Sequence, residues 1–197
     1  MEGKCLETER NGRFGDTNNK LHGSIRIAHQ NVHGIPESKK CSKSYDMIKT
    51  FKEWEIDVWG MSETNIIWHN IGYHNQWKER MTSLQPHVSN FAYNRHETLG
   101  SDKFLPGGVA QITTKQLAGR IIESGKDNSG LGRWVWQKLQ GRFNHMVRII
   151  TYYRPCNGDT QDVEASYTTF AQHQRYYDHP EINPRIQLVQ DLADFLQ

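Results

Sequence analysis

The 197-residue sequence has no apolar run approaching the roughly 18 residues that cross a bilayer as a helix, which excludes a membrane-spanning helix within it. Its polar start, MEGKCLETERNGRFGDTNNK, has no apolar core of the kind a secretory signal needs. Cysteine is scarce. Cys5, Cys41 and Cys156 are odd in number and far apart, so neither a disulfide framework nor a CxxC zinc pair can be read from them, and a reducing compartment is expected. An excess of one charge is also lacking: 24 Lys and Arg stand against 22 Asp and Glu, a formal +2, so charge alone would not hold this chain to nucleic acid. No internal repeat or low-complexity tract is present. These absences together predict a soluble, intracellular protein with no membrane partner.

Apolar side chains are present in quantity. Hydrophobic residues make up 36% and aromatics 11%, which excludes a disordered or fibrous chain, and the length suits one domain with a sizeable core. Residues 1–22, rich in Asn, Gly, Lys and Glu and without periodicity, are predicted to be a mobile polar tail, with the domain over 23–197. Ile25–Val32 alternates as a half-buried strand does, and the turn His33-Gly-Ile-Pro36 ends it. From Ser44 to Glu55, Ile48, Phe51 and Trp54 fall near one helical face. A second strand, Ile56–Ser62, runs into Glu63-Thr64-Asn65; strand, helix, strand implies neighbouring parallel strands.

Further along, short β-like runs at His87–Tyr93, Gly108–Thr113, Gly119–Glu123, Arg133–Leu139 and Met146–Tyr153 are separated by turn-rich pieces, a spacing that predicts antiparallel sheet. Two helices are predicted at about 161–178 and 184–197, the second with an apolar stripe of Leu188, Leu192, Phe195 and Leu196. That stripe runs to Gln197 with no capping glycine after it, which leads us to expect a further element beyond the sequence.

Two polar residues stand at the ends of the first two predicted strands, Asn31 and Glu63. Strand ends in α/β layers are where ligand sites form, and a carboxylate there suits a hard cation such as Mg²⁺. The same two residues also fit a turn and a loop cap. In Ile149-Ile-Thr-Tyr-Tyr-Arg-Pro-Cys156, a strand delivers tyrosines and Arg154 to its end, where they could hold a phosphate; a core tyrosine and a solvated arginine fit equally well.

Taken together, Ile25–Ile35 (IRIAHQNVHGI), Asp57–Asn65 (DVWGMSETN), Gly107–Thr113 (GGVAQIT) and Arg148–Cys156 (RIITYYRPC) resemble, in order and spacing, the endonuclease/exonuclease/phosphatase family of exonuclease III-like enzymes. Gly130-Leu-Gly-Arg-Trp-Val-Trp136, followed by Tyr153-Arg-Pro-Cys, is most similar to the branch of LINE-type retrotransposon endonucleases. The resemblance implies a four-layer α/β sandwich, two packed mixed β-sheets flanked by helices, truncated here before its last strands. It implies Mg²⁺, or Mn²⁺ in its place, as cofactor. It makes Glu63 the main metal ligand, Asn31 a contact to phosphate and metal site, and Tyr153 a positioner of the scissile phosphate. Arg154 and Asn65 become substrate contacts. The implied reaction is attack of water on a phosphodiester, with the metal neutralising charge and a base taking the proton. The implied partners are nucleic acid, DNA in particular, and a reverse transcriptase encoded downstream in the same element; the implied location is the nucleus.

The sequence departs from that family at two points. His33 stands where the family commonly has Asn or Asp, and imidazole is a poor Mg²⁺ ligand. The family's Gly-Asp-x-Asn and closing Ser-Asp-His, which supply the water-activating and base-orienting groups, do not occur. Gly158-Asp159 comes too early and without the Asn, and Asp178-His179 runs into Pro180 between helices, so neither replaces them. His29 with His33, or His69 with His74, have spacings that tempt a zinc reading, but the first pair spans a strand and turn where the rings would not converge. Of Trp54, Trp59, Trp68, Trp77, Trp134 and Trp136, which could stack on bases, the last two share a strand face and are expected in the core. The rival expectations are a phosphatase or lipid phosphodiesterase of the same family, and an inactive fragment that at most binds nucleic acid.

Overall fold

The first two strands, β1 (Ile27–Asn31) and the fully buried β2 (Val58–Ser62), pair in parallel with Asn31 opposite Ser62. Between them runs α1 (Lys43–Glu53), within the crossover connection that parallel neighbours need. The computed structural model describes residues 19–35, 43–68, 70–84, 86–96, 105–157 and 166–197. Most of the expected polar tail therefore lies outside the described residues; at its end, the Lys20 ammonium pairs with Asp57 at 2.5 Å.

Beyond β2 the chain forms α2 (Ile71–Met81), β3 (His87–Ala92), β4 (Val109–Thr114), the single turn α3 (Lys115–Ala118), β5 (Ile121–Lys126), β6 (Trp134–Gln140) and β7 (Met146–Tyr152). It closes with α4 (Thr169–Tyr177) and α5 (Pro184–Leu196). The strands make a mixed four-stranded sheet of order β1-β2-β4-β3 and an antiparallel three-stranded sheet of order β5-β6-β7. The two sheets pack face to face, with β7 against β2 and β6 against β4 and β3. The antiparallel runs expected after residue 86 are thus all present.

The layers follow from which faces are apolar. The outer face of the four-stranded sheet buries Trp59, Met61 and Ile112 against Met47, Ile48 and Phe51 of α1 and Trp77 of α2. The outer face of the other sheet buries Trp134 and Trp136 against Leu188, Leu192 and Phe195 of α5. Helices, sheet, sheet and helix give the expected four-layer α/β sandwich. Between the sheets, Gln111, Thr113, Gln137 and Thr151 are buried and bonded to one another; Gln111 Nε2 donates to Gln137 Oε1 at 3.1 Å and the Thr151 hydroxyl to Gln111 Oε1 at 3.0 Å. These bonds satisfy the seam's side chains except for Gln137 Nε2, and they pin the register between the sheets. Gly60 is required at the closest approach, since a Cβ there would lie 2.6 Å from the Thr151 hydroxyl.

Four expectations need correction. β1 is not half-buried: it is the edge of its sheet, and Ile27 is 56% exposed. Trp54 lies past the end of α1 and is largely exposed, so it does not complete that helix's buried face. Leu196 points to solvent and leaves the α5 stripe to Leu188, Leu192 and Phe195. The helix predicted at 161–178 starts, among the described residues, at Thr169, where the Thr168 hydroxyl caps it.

Helix α2 is not foreseen by any apolar stripe. It buries only Trp77 and Met81, and the sequence signal for it is Asn70, whose side chain accepts from Gly72 N at 2.9 Å. Pro184 at the first turn and the Asn183 cap start α5 in the same way. No helix among the described residues is long and apolar enough to cross a membrane.

Candidate active site at the ends of β1, β2 and β7

Parallel pairing of β1 and β2 brings their C-terminal ends level, so Asn31 and Glu63 emerge on the same edge. The antiparallel sheet delivers Tyr153, the first residue after β7, to the same point. Its hydroxyl donates to Glu63 Oε1 at 2.6 Å. Asn31 hydrogen-bonds Glu63 as well, while its own Oδ1 accepts from His33 N at 2.9 Å. His33 Nδ1 lies 3.1 Å from the other carboxylate oxygen, Glu63 Oε2. Asn31, Glu63 and Tyr153 are therefore brought together, and His33 joins them.

The backbone here is held in an unusual conformation. His33, Glu63 and Asn65 all have positive φ, at 44°, 53° and 54°. Such left-handed residues cost about 1–2 kcal/mol each and persist only where neighbours impose them. The imposing bonds are visible: Gly34 N to Glu63 O at 2.6 Å, Ile35 N to Thr64 O at 3.0 Å, and Asn65 N to Gly107 O at 2.9 Å. Lys43, at the start of α1, adds its ammonium to the Val32 and Gly34 carbonyls and ties the β1 turn down. Asn65 lines the cleft beside the carboxylate. Its Oδ1 accepts from Gly107 N at 2.8 Å, bracing the loop before β4. Gly107, at φ 95°, faces Thr169, whose side chain a Cβ would meet at 2.9 Å.

The electrostatics favour an ionised Glu63. Burial raises its pKa, but hydrogen bonds from Tyr153, Asn31 and His33, together with the His33 charge, outweigh that and hold it below the ordinary value. Tyr153 moves the other way: burial, then the bond to Glu63 and its negative charge, push the phenol well above its usual pKa. The phenol therefore stays a proton donor to Glu63. Thr169 also hydrogen-bonds it, a partner that no sequence signal beyond the Ser-Tyr-Thr-Thr run ahead of α4 marks.

Two open clefts meet at this carboxylate. One, of about 500 Å³, lies between the sheets and is lined by Asn31, Tyr153, Thr151 and the exposed Arg154. The other, of about 450 Å³, is lined by His33, Asn65, Gly107 and Thr168; Glu63 and Cys156 border both. Among the described residues, no group of three or more His, Cys, Asp or Glu side chains converges into a metal cage. One ionised carboxylate open to solvent on one side instead fits a cation that keeps most of its waters, as Mg²⁺ does.

Among solved structures, the chain is similar to an endonuclease/exonuclease/phosphatase family protein from Leptotrichia buccalis C-1013-b, with a TM-score of 0.46 and 18% identity. That match covers 79% of this chain and 62% of that one, so this chain spans less than two thirds of the other's length. No family profile and no curated protein matches the sequence.

Other candidates separate from the site. His29 is exposed on β1, and His74 stacks edge-on against Trp68 with ring centroids 6.0 Å apart. His179 pairs with Glu181 in solvent. Asp159, His69, Cys5 and Cys41 lie outside the described residues. Trp59, Trp68, Trp77, Trp134 and Trp136 are all buried and offer bases no stacking surface; for Trp134 and Trp136 this is the expected core placement.

Proposed function

We propose that this chain is a divalent-metal-dependent phosphodiesterase acting on nucleic acid, DNA in particular, of the type that nicks a target for retrotransposition. The observation that carries this reading is the ionised Glu63, clamped by Tyr153 and Asn31 where two clefts meet, with Arg154 free in solvent beside it. A Mg²⁺ or Mn²⁺ ion on Glu63 supplies neutralisation of charge on the scissile phosphate and its leaving oxygen.

This chain's own residues do the rest. Tyr153 and Asn31 hold the carboxylate in one rotamer, so that it meets a cation without reorganising. Arg154 offers a planar fork of donors to a phosphate oxygen pair. Asn65 fixes the Gly107 loop through its Oδ1 and lines the second cleft, where it stands as a substrate contact. The implied setting is the nucleus, alongside a reverse transcriptase from the same element.

A second reading, binding of nucleic acid without hydrolysis, is favoured by one observation: among the described residues, Glu63 is the only carboxylate lining either cleft. A supercoiled-plasmid nicking assay with Mg²⁺ separates the two. Nicking that falls at least about a hundredfold in Glu63→Gln supports the enzyme. Plasmid binding without nicking, weakened by Arg154→Ala, supports the binder. Nicking unchanged in Glu63→Gln would sink the proposed site, and release of phosphate from lipid headgroups in preference to plasmid nicking would change the substrate class.

A further inference from the structure

We propose that His33 is a second, nitrogen ligand beside Glu63, and that the pair favours a divalent transition ion, Mn²⁺ included, over Mg²⁺. This rests on the reading above that a cation binds at Glu63. Three observations carry it.

The first is distance. His33 Nδ1 and Glu63 Oε2 are 3.1 Å apart. Two ligands bound to one ion at about 2.1–2.2 Å and at right angles to each other have donor atoms about 3.0 Å apart. That is also the length of the hydrogen bond the two share, so an ion entering there would replace that bond with little movement of either donor.

The second is that the approach is rigid while the ring is open. His33 takes φ 44°, a conformation that costs energy, and its N–H is fixed by Asn31 Oδ1. The next residue is locked to the Glu63 carbonyl by the Gly34 N–H. The two donors therefore cannot drift apart through the backbone. Yet the His33 side chain is 92% exposed, so water and ions reach it freely. Strain imposed on an exposed residue does nothing for the core, and such outliers gather at binding sites.

The third is donor chemistry. Neutral imidazole is a common ligand for first-row transition ions and a poor one for Mg²⁺, whereas a carboxylate serves both. A nitrogen–oxygen pair therefore favours Mn²⁺, Co²⁺ or Zn²⁺. The competing use of His33, a hydrogen bond that only orients Glu63, confers no such preference.

The test uses the whole chain, with Mn²⁺ and Mg²⁺ as probes. Mn²⁺ binding is read from loss of the free-ion paramagnetic resonance signal, and Mg²⁺ binding by competition. The variant is His33→Asn, because Asn tolerates positive φ and leaves the turn intact; His33→Asp is the second variant should that one fail to fold. The wild type is expected to bind Mn²⁺ at least about tenfold more tightly than Mg²⁺, and His33→Asn to lose about tenfold for Mn²⁺ while Mg²⁺ changes less than about twofold. Pulsed resonance of bound Mn²⁺ is expected to show nitrogen modulation from a coordinated imidazole, absent in both variants. Equal affinities for the two ions, or no nitrogen modulation in the wild type, would overturn the role of His33 while leaving Glu63 as the metal residue. Undiminished binding of both ions by Glu63→Gln would instead overturn the reading on which it rests, and absence of any Mn²⁺ binding by the wild type would overturn both.

Discussion

The Tyr153 hydroxyl donates to Glu63 Oε1 at 2.6 Å across a sequence separation of 90 residues, tying the end of a strand in one sheet to the end of a strand in the other. Removing it should be felt twice. Tyr153→Phe leaves the ring in place but takes one donor from a carboxylate that is 16% exposed, at a cost of about 1–2 kcal/mol at neutral pH. The Glu63 pKa, held low in the folded chain, should rise towards its ordinary value. A depressed carboxyl stabilises the fold above its unfolded pKa and loses that contribution as pH falls through the folded one. The difference between wild type and variant should therefore be largest near pH 7 and shrink in acid. Thermal melts at several pH values, with a carbon-13 titration of Glu63, check both.

Asn65 carries a backbone burden and a side-chain bond that two substitutions pull apart. Its φ of 54° suits Gly better than Ala, and its Oδ1 holds Gly107 N. Asn65→Ala should cost about 2 kcal/mol and Asn65→Gly about 1 kcal/mol, because Gly restores the backbone freedom while losing the bond. Denaturant unfolding that ranked Ala as milder than Gly would contradict this account of the loop.

Arg133 anchors the far side of the antiparallel sheet. Its buried guanidinium meets Asp127 Oδ2 at 2.6 Å, Asp191 Oδ2 at 2.5 Å and the Tyr177 hydroxyl at 2.9 Å, and lies over the Trp134 ring. Arg133→Met strands the buried Asp127 carboxylate and should cost about 3–5 kcal/mol. Asp191→Asn, at a side chain 29% exposed, should cost about 1 kcal/mol. Calorimetric midpoints of the two variants should differ in that order.

His173 is buried in α4, and burial, aided by the Arg133 charge, pushes its pKa down to about 4. The unfolded histidine titrates near 6.5, so in the window from about 6.5 to about 4 the unfolded chain takes up a proton that the folded chain refuses. Stability should fall as pH drops through that window, by about 3 kcal/mol in all. His173→Gln should flatten this part of the profile. A wild-type stability that stayed level from pH 6.5 to pH 4 would refute it.

The strand ends that carry the site were legible in the sequence. Alternation in Ile25–Val32, then a helical stretch and a second strand at Ile56–Ser62, implies parallel neighbours, and parallel neighbours place Asn31 and Glu63 on one edge. Gly107 was legible as part of the segment Gly107–Thr113, but that it must admit Thr169 depends on where α4 lies. Helix α2 escaped the periodicity reading because only Trp77 and Met81 face inward, too few to mark a stripe. The pattern of β1 was read correctly as a strand and wrongly as half-buried, since a period of two says which residues share a face and not whether anything covers it.

By itself the sequence determined the identity of most elements, the parallel start, and the two polar residues at its strand ends, because backbone periodicity and capping act over a few neighbouring residues. Only the tertiary structure decided that Tyr153 and His33 each take one oxygen of Glu63, that Asn65 braces the Gly107 loop, and that Arg133 is buried among carboxylates. Those pairings depend on how two sheets stack. Apolar burial drives the stacking without directing it, and the polar seam of Gln111, Thr113, Gln137 and Thr151 pins its register.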